Sequence, residues 1–356
     1  MMKQYEHGGG LPYQGKKVEL DFSVNLHPFG MPPAVAEALR NSVELFQNYP
    51  DPECRELKRA LAEKLGTDKE RILFGNGADD LLYRVFQVLR PQQVLVCDPC
   101  FSEYERAAKA CGAEVRHFGL KPEEEFSIPA AFAEKLSSQT GLVCLCTPNN
   151  PTGKLVPEGM IRKIAERCRQ IGACLLLDEC FLPFTERESA MHLQEEYPNL
   201  LVLRAFTKSY ALAGLRLGYM VSSDPSFLQK LREAAPVWAV SAPAQTAGLA
   251  ALSGEDVIFE ARQFLRQERP RVTERLRAMG FRVWESDCNF LLFQGPEDLG
   301  ERLLEKGIAI RDCSNYRGLR KGFWRIGLKT REENDRLLEA AADLKSGGTA
   351  DDRQET

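Results

Sequence analysis

The sequence lacks the features that mark membrane proteins, exported proteins and proteins that bind nucleic acids. No run approaches the roughly 18 consecutive apolar residues that a membrane helix needs, and the N-terminus contains no apolar export segment. Positive charge is not in excess, because 47 Lys and Arg stand against 51 Asp and Glu, for a formal net charge of -4. A nucleic-acid-binding surface normally shows a basic excess or stripe. We therefore expect a cytoplasmic protein with no nucleic-acid partner and no membrane partner.

Histidine is scarce, with 4 residues, and the 11 cysteines do not form clusters that would bind a metal. Only Cys97 and Cys100 have the spacing of a redox or metal-binding pair, and no second such pair and no spaced His pair accompanies them. Most cysteines lie in apolar stretches such as LVCLC, which favours reduced thiols packed as small hydrophobic side chains. The sequence thus predicts neither a metal centre nor a disulfide scaffold.

The order of apolar segments predicts an α/β fold. The 356 residues are enough for about two domains. From about residue 70 to 222, short β-rich runs alternate with amphipathic helical patterns, which is typical of a doubly wound, mainly parallel sheet. Later segments indicate a smaller α+β domain. We predict an extended Gly/Pro-rich arm at 1–40 that joins the small domain, a large domain at 41–245, a small domain at 246–345 and a disordered tail at 346–356.

Polar motifs follow four of the predicted strands. They are GNGADD, TPNNPTG, DEC and TKSYALAGLRLG, and the ends of parallel strands meet at one edge of a sheet, where ligands usually bind. The helix that begins near Ala78 would offer free N–H groups to a phosphate. Asp178 lies 30 residues before Lys208, so both side chains should reach the same crevice. Taken singly, each has a simpler interpretation as a turn, a helix cap or a solvated lysine.

In combination these motifs resemble one specific family. The sequence NPTG at 150–153, DE at 178–179 and TKSYALAGLRLGY at 207–219 are similar to the signature of fold-type I, aspartate-aminotransferase-like pyridoxal phosphate enzymes. The resemblance extends from about residue 5 to 345. It implies the fold-type I transferase fold, a pyridoxal 5'-phosphate cofactor and a homodimer.

The resemblance also implies roles for individual residues. Lys208 would carry the cofactor as a Schiff base and later move protons, Asp178 would pair with the pyridinium nitrogen, and Asn150 would donate to the ring hydroxyl oxygen. Phe101 takes the position that stacks on the ring, and Phe181 lies after the DEC motif. The cofactor phosphate would be held by Gly77, Ala78, Asp79, Thr207, Arg216 and, from the second subunit, Tyr49. One departure is Ala205, where the family often has a Ser or Thr that binds this phosphate.

Two branches of the family compete, and both act on phosphorylated amino compounds. They are the threonine-phosphate decarboxylases of cobalamin biosynthesis and the histidinol-phosphate aminotransferases. The HGG at 7–9, the LDFSVNLHPFGMP at 20–32 and the IRDCSNYRGL at 310–319 are similar to the decarboxylases. Phe101 and Phe181 stand where the aminotransferases typically have Tyr. This resemblance implies decarboxylation of O-phospho-L-threonine, with the aminotransferase as the alternative. A non-catalytic, cofactor-binding regulator is a remote third possibility, because 1–40 is too short for a DNA-binding module.

A decarboxylase for such a substrate must hold both a carboxylate and a phosphate. We hypothesise that Arg325 and Asn150 bind the carboxylate, because the planar fork of Arg suits oxyanions. The substrate phosphate would be held by His7, Gly8, Asn25 and Arg311. The simpler alternatives are an exposed arm for His7 and surface ion pairs for the two arginines.

Overall fold

The structure, a computed structural model, describes residues 16–351, with side chains for residues 16–344. Its larger sheet has seven strands in the order β2-β8-β7-β6-β5-β3-β4, all running in one direction except the antiparallel β8. The strands are β1 (Leu20–Asp21), β2 (Ile72–Asn76), β3 (Gln93–Asp98), β4 (Glu114–Gly119), β5 (Thr140–Cys146), β6 (Cys174–Asp178), β7 (Leu200–Ala205), β8 (Leu217–Val221), β9 (Arg282–Val283), β10 (Phe290–Gln294), β11 (Ile308–Ala309), β12 (Arg311–Asp312) and β13 (Phe323–Gly327). The predicted mainly parallel sheet is thus confirmed.

Amphipathic helices cover this sheet. Leu81, Leu82 and Val85 of one such helix are buried against it at helical spacing, because apolar residues recur on one face. The helices are α1 (Pro33–Asn41), α2 (Arg55–Leu65), α3 (Ala78–Leu89), α4 (Glu103–Ala110), α5 (Glu158–Ile171), α6 (Phe206–Ser209), α7 (Pro225–Glu233), α8 (Ala242–Ser253), α9 (Val257–Ala278), α10 (Leu299–Glu305) and α11 (Arg331–Asp351). Short 3-10 helices lie at Val43–Gln47, Lys69–Arg71, Pro122–Glu124, Ala130–Lys135, Leu182–Phe184 and Ala190–Glu195.

The strand directions bring the four polar motifs to one edge. β2, β5, β6 and β7 run in the same direction, and each motif begins where its strand ends. A second sheet, in the order β12-β13-β10-β9, is antiparallel and belongs to the C-terminal part of the chain. This arrangement leaves a cleft between the carboxyl edge of the large sheet and the smaller sheet.

The first described residues pair with the C-terminal part of the chain. β1 pairs in parallel with β11, and the backbone N–H of Gly327 donates to the carbonyl of Phe22 at 2.8 Å. The expectation of a wholly extended arm is wrong for its second half, because residues from Pro33 onward form α1. A proline in the first turn of a helix loses no hydrogen bond and has its φ angle already set, so this Pro-rich stretch starts a helix.

Two further features of the chain differ from expectations based on composition. α8 continues across the predicted domain boundary at 245, and its Ala244 and Ala247 belong to the same buried cluster as Leu217 of the larger sheet. α11 continues through 346–351, where we expected disorder, because extending an existing helix needs no new nucleation. Within residues 16–351 no helix is long and apolar enough to cross a bilayer.

Candidate active site

A cavity of about 410 Å³ opens at the carboxyl edge of the large sheet and is closed on its other side by residues of the small sheet. Twelve residues predicted from sequence line it: Asn25, Ala78, Asp79, Phe101, Asn150, Asp178, Phe181, Thr207, Lys208, Arg216, Arg311 and Arg325. Gly77 lies beside it, against Arg216. His7 and Gly8 fall outside the described residues. The strand-end motifs therefore do converge on one site.

Lys208 lies in the four-residue helix α6, directly after β7. Burial, together with the positive charge of Arg325, lowers the pKa of Lys208 to about 8. Its Nζ lies 5.9 Å from the centre of the Phe181 ring, so a hydrophobic surface covers part of the amine. A lysine with this pKa is neutral in roughly a tenth of molecules at pH 7, far more than an ordinary lysine, and this makes its amine available as a nucleophile and base.

Asp178 ends β6 with its carboxylate buried in the cavity. The hydroxyl of Tyr104 donates to Oδ2 at 2.7 Å, and the backbone N–H of Cys180 donates to Oδ1 at 2.9 Å. Burial and the nearby Asp178 raise the pKa of Tyr104, so its hydroxyl remains a donor. Two donors fix the carboxylate and leave lone pairs free toward the cavity. This geometry fits a cationic ring nitrogen.

The N-terminus of α3 and Arg216 form a cradle for an anion. Gly77 precedes the helix with a φ of +84° and no side-chain cap, and an added Cβ would lie 2.8 Å from Nη2 of Arg216. Only glycine therefore allows the guanidinium so close to the helix N–H groups. Arg216 donates to Asp79 at 3.2 Å, and burial raises the pKa of this carboxyl. Together with Thr207, these groups fit a phosphate monoester.

Arg311 and Arg325 stand opposite each other in the antiparallel pair β12–β13. Both are buried and face the same cavity. Arg325 donates to Oδ1 of Asn150 and to the carbonyl of Ser23, the latter at 2.8 Å. Arg311 donates to Oδ1 of Asn315 at 2.9 Å. Like charges directly across a strand pair repel, so this pair favours an anionic ligand between them.

Asn25 and the two phenylalanines of the sequence hypothesis also lie where a ligand can meet them. Asn25 is 2% exposed, and among the described residues its Oδ1 has no hydrogen-bond partner. Phe101 packs edge-to-face against Tyr104 at 5.7 Å between ring centres. Phe181 packs likewise against Phe290, at 5.0 Å. The aromatic pairs give the cavity two rigid apolar walls.

Tyr49 lies outside the cavity. Its side chain is 79% exposed and stacks on Trp238, itself 48% exposed, with ring centres 4.2 Å apart. Val43, Leu45 and Val237 are also exposed on neighbouring parts of the chain. An isolated subunit therefore presents a cluster of large apolar side chains to solvent.

Sequence reasoning missed two tyrosines of the site. Tyr104 contacts Asp178, and the ring of Tyr316 lies 5.5 Å from the guanidinium of Arg311, with its hydroxyl 3.4 Å from Oδ1 of Asn150. Tyr104 lies at the start of α4, three residues after Phe101, but no local pattern in the sequence connects it with Asp178. Tyr316 lies in a loop whose conformation the sequence does not specify.

The family model "Aminotransferase class I and II" matches residues 17–340. The threonine-phosphate decarboxylase of Salmonella typhimurium is 35% identical over 333 residues, covering 92% of this chain and 92% of that protein. The histidinol-phosphate aminotransferase of Methanosarcina mazei is 35% identical over 330 residues, covering 90% and 87%. The structure of the histidinol-phosphate aminotransferase from Clostridium acetobutylicum superposes with a TM-score of 0.86 at 27% identity, covering 92% and 99%. The chain belongs to the class I and II aminotransferase family of fold-type I enzymes.

Proposed function

We propose that this protein is a cytoplasmic, pyridoxal-phosphate-dependent decarboxylase that converts O-phospho-L-threonine to (R)-1-amino-2-propanol O-phosphate in cobalamin biosynthesis. The observation that carries the proposal is the buried pair Arg311 and Arg325 in the cavity that contains Lys208 and Asp178. A substrate with a carboxylate and a phosphate needs two cationic anchors besides the one that holds the cofactor. The similarity to the Salmonella decarboxylase supports the same assignment.

The residues of the cavity fit the cofactor. Gly77, the N-terminus of α3, Thr207 and Arg216 would hold its phosphate, and Asp178 would hold its ring nitrogen in the protonated form. When bound, the cofactor serves as the acceptor of the electron pair released at the substrate Cα. Phe101 would pack on the ring. Because Phe181 has no hydroxyl, Asn150 would be the side chain that donates to the ring oxygen.

Two arginines would orient the substrate. Arg325 with Asn150 would bind the carboxylate, and Arg311 with Asn25 would bind the substrate phosphate. Asn25 would donate from its amide Nδ2 to a phosphate oxygen, and its Oδ1 has no described partner that would compete for this orientation. Two fixed anchors limit rotation about Cα, and orientation decides which bond breaks.

Lys208 would donate the proton that the substrate Cα receives. Loss of carbon dioxide leaves an electron pair at Cα, which must receive a proton to give the amine product. Because its pKa is about 8, Lys208 can hold that proton and release it near neutral pH.

A substrate panel tests the proposal. The holoenzyme is incubated with O-phospho-L-threonine, with O-phospho-L-serine, and with histidinol phosphate plus 2-oxoglutarate, and carbon dioxide and glutamate are measured separately. We expect carbon dioxide from phosphothreonine and no glutamate from histidinol phosphate. Glutamate without carbon dioxide would establish the alternative, the histidinol-phosphate aminotransferase, which the 35% identity to the Methanosarcina enzyme favours.

The exposed aromatic cluster supports a homodimer. Tyr49 and Trp238 form a stacked pair that is largely open to solvent. Exposed apolar clusters of this kind typically mark protein interfaces. We propose that Tyr49 packs into a second copy of the chain and reaches its cofactor phosphate. Light scattering should give twice the chain mass, and Tyr49→Asp with Trp238→Asp should give monomers.

A further inference from the structure

A second cavity lies behind the helix that carries Lys208. It has a volume of about 160 Å³, and its wall includes Arg204, Phe206 and Ser209. Lys208 lines the first cavity and Ser209 the second, so α6 separates the two. Leu203 and Arg204 are consecutive residues of β7, so their side chains point to opposite faces of the sheet, and they line different cavities. None of the proposed catalytic or substrate-binding groups uses this space.

Two arginines in this wall form no hydrogen bond or close ion pair with an acid among the described residues. Arg204 comes from β7 and Arg262 from the second turn of α9. Among the described residues, neither guanidinium forms a hydrogen bond, and neither has a carboxylate oxygen within 4.0 Å. The Nε of each is shielded from solvent and unpaired. Unpaired buried donors on charged groups are costly, because hydrogen bonds to ions are strong and desolvation is not offset.

The charges facing the two arginines leave a cationic excess. Lys64, at the end of α2, also lines the cavity, and Asp256 is the acid that lines it. Asp256 is already engaged as the cap of α9, where its Oδ1 accepts from the backbone N–H of Phe259 at 3.1 Å. Behind Arg204 lies the buried Glu179, whose carboxylate accepts from Ala190 and Ser189. The lining thus contains three cations and one acid.

The ring of Tyr219 helps to hold the side chain of Arg204 in place. The guanidinium carbon lies 5.9 Å from the centre of the Tyr219 ring, a distance at which a cation and an aromatic face attract. A ligand would therefore meet a guanidinium that is already ordered. Preorganised donors lose little conformational entropy on binding.

We infer that this cavity is a binding site for a small oxyanion, a carboxylate or a phosphate, held between Arg204 and Arg262 with Lys64 at its mouth. Arginine forks bind such planar or tetrahedral oxyanions through paired hydrogen bonds. The volume of about 160 Å³ restricts the ligand to a small ion or the head of a larger molecule. The site is separate from the cofactor cradle and from the proposed substrate anchors.

Titration calorimetry of the holoenzyme tests this site. Inorganic phosphate and acetate are titrated separately, with chloride holding the ionic strength constant. Arg262→Gln removes one fork, and Arg266→Gln is the matched control, because Arg266 lies one helical turn further on the same helix and does not line the cavity. Besides any binding at the proposed substrate anchors Arg311 and Arg325, we expect one saturable anion site per chain that is at least about tenfold weaker in Arg262→Gln and unchanged in Arg266→Gln.

The outcomes are distinct. If phosphate alone or acetate alone binds, and this binding is lost in Arg262→Gln, the result supports the site and shows which class of oxyanion it binds. Equal binding by Arg262→Gln and Arg266→Gln, or no saturable binding by the unmodified holoenzyme, overturns it. If Arg262→Gln does not fold, Lys64→Gln on the exposed end of α2 provides the second test, with several-fold weaker binding expected. None of these readouts involves turnover, so failure here leaves the proposed decarboxylation untouched.

Discussion

The hydrogen bond from Tyr104 to Asp178 should contribute measurably to cofactor binding. Asp178 is the carboxylate proposed to meet the ring nitrogen, and Tyr104 donates to it at 2.7 Å within the protein interior. Tyr104→Phe removes this donor while keeping the ring that packs against Phe101. A hydrogen bond to a charged group is worth about 1.5–3 kcal/mol. At about 1.4 kcal/mol per factor of ten, cofactor affinity should fall roughly 10- to 150-fold.

The assay is the dissociation constant of pyridoxal phosphate, measured by equilibrium dialysis of the cofactor-free protein. Tyr83→Phe is the matched control, because its hydroxyl also donates to a carboxylate, that of Glu103, at 3.1 Å. Glu103 has no proposed contact with the cofactor, so this variant should bind it within about threefold of the original affinity. Equal losses in both variants would show that the effect is general destabilisation, and no loss in Tyr104→Phe would refute the role given to this bond.

Three further changes test the cradle, the substrate anchor and the lysine. Gly77→Ala should weaken cofactor binding severely, because its Cβ would lie 2.8 Å from Arg216. Gly172→Ala is the control, because Gly172 has a similar φ of +75° with open space around it, and this change should cost only backbone strain of about 1–2 kcal/mol in unfolding experiments. Equal cofactor affinities of the two variants would contradict the role given to Gly77. Arg311→Gln should raise the KM for phosphothreonine by at least about tenfold with little change in cofactor affinity, and an equal loss of both would show that it is misassigned. Without cofactor, the pKa of Lys208 of about 8 against 10.5 unfolded means that the folded state binds fewer protons between these pH values. The free energy of unfolding should therefore rise with pH there by up to about 3 kcal/mol, and denaturant titrations of Lys208→Met should lack this rise.

The sequence predicted the parts of the site that depend on strand ends. Lys208, Asp178 and Asn150 each follow a buried apolar run, and parallel strands necessarily bring their carboxyl ends together. The partner of Asp178 was not predictable in the same way. Tyr104 lies 74 residues away on a helix, so its contact depends on how α4 packs on the sheet, which no local pattern specifies.

Tertiary packing accounts for the difference in the arm. The Pro-rich stretch before residue 40 was expected to be extended, yet Pro33 lies in the first turn of α1. Proline is compatible both with an extended segment and with the first turn of a helix, and packing of the apolar Val35 against α8 favours the helix. The second cavity was equally inaccessible to sequence reasoning, because Arg204 and Arg262 are brought together only by tertiary packing.

The pairing of β1 with β11 has a consequence for the order of events during synthesis. The backbone of Leu20 cannot pair until Ile308 has been synthesised, which lies 288 positions later in the chain (308 − 20). At ribosomal rates of about 5–20 residues per second, that interval is roughly 15–60 s. Ser23 and Asn25, which line the cavity, follow directly after β1. A nascent chain that ends before residue 308 can therefore contain the complete seven-stranded sheet and still lack one wall of its active site.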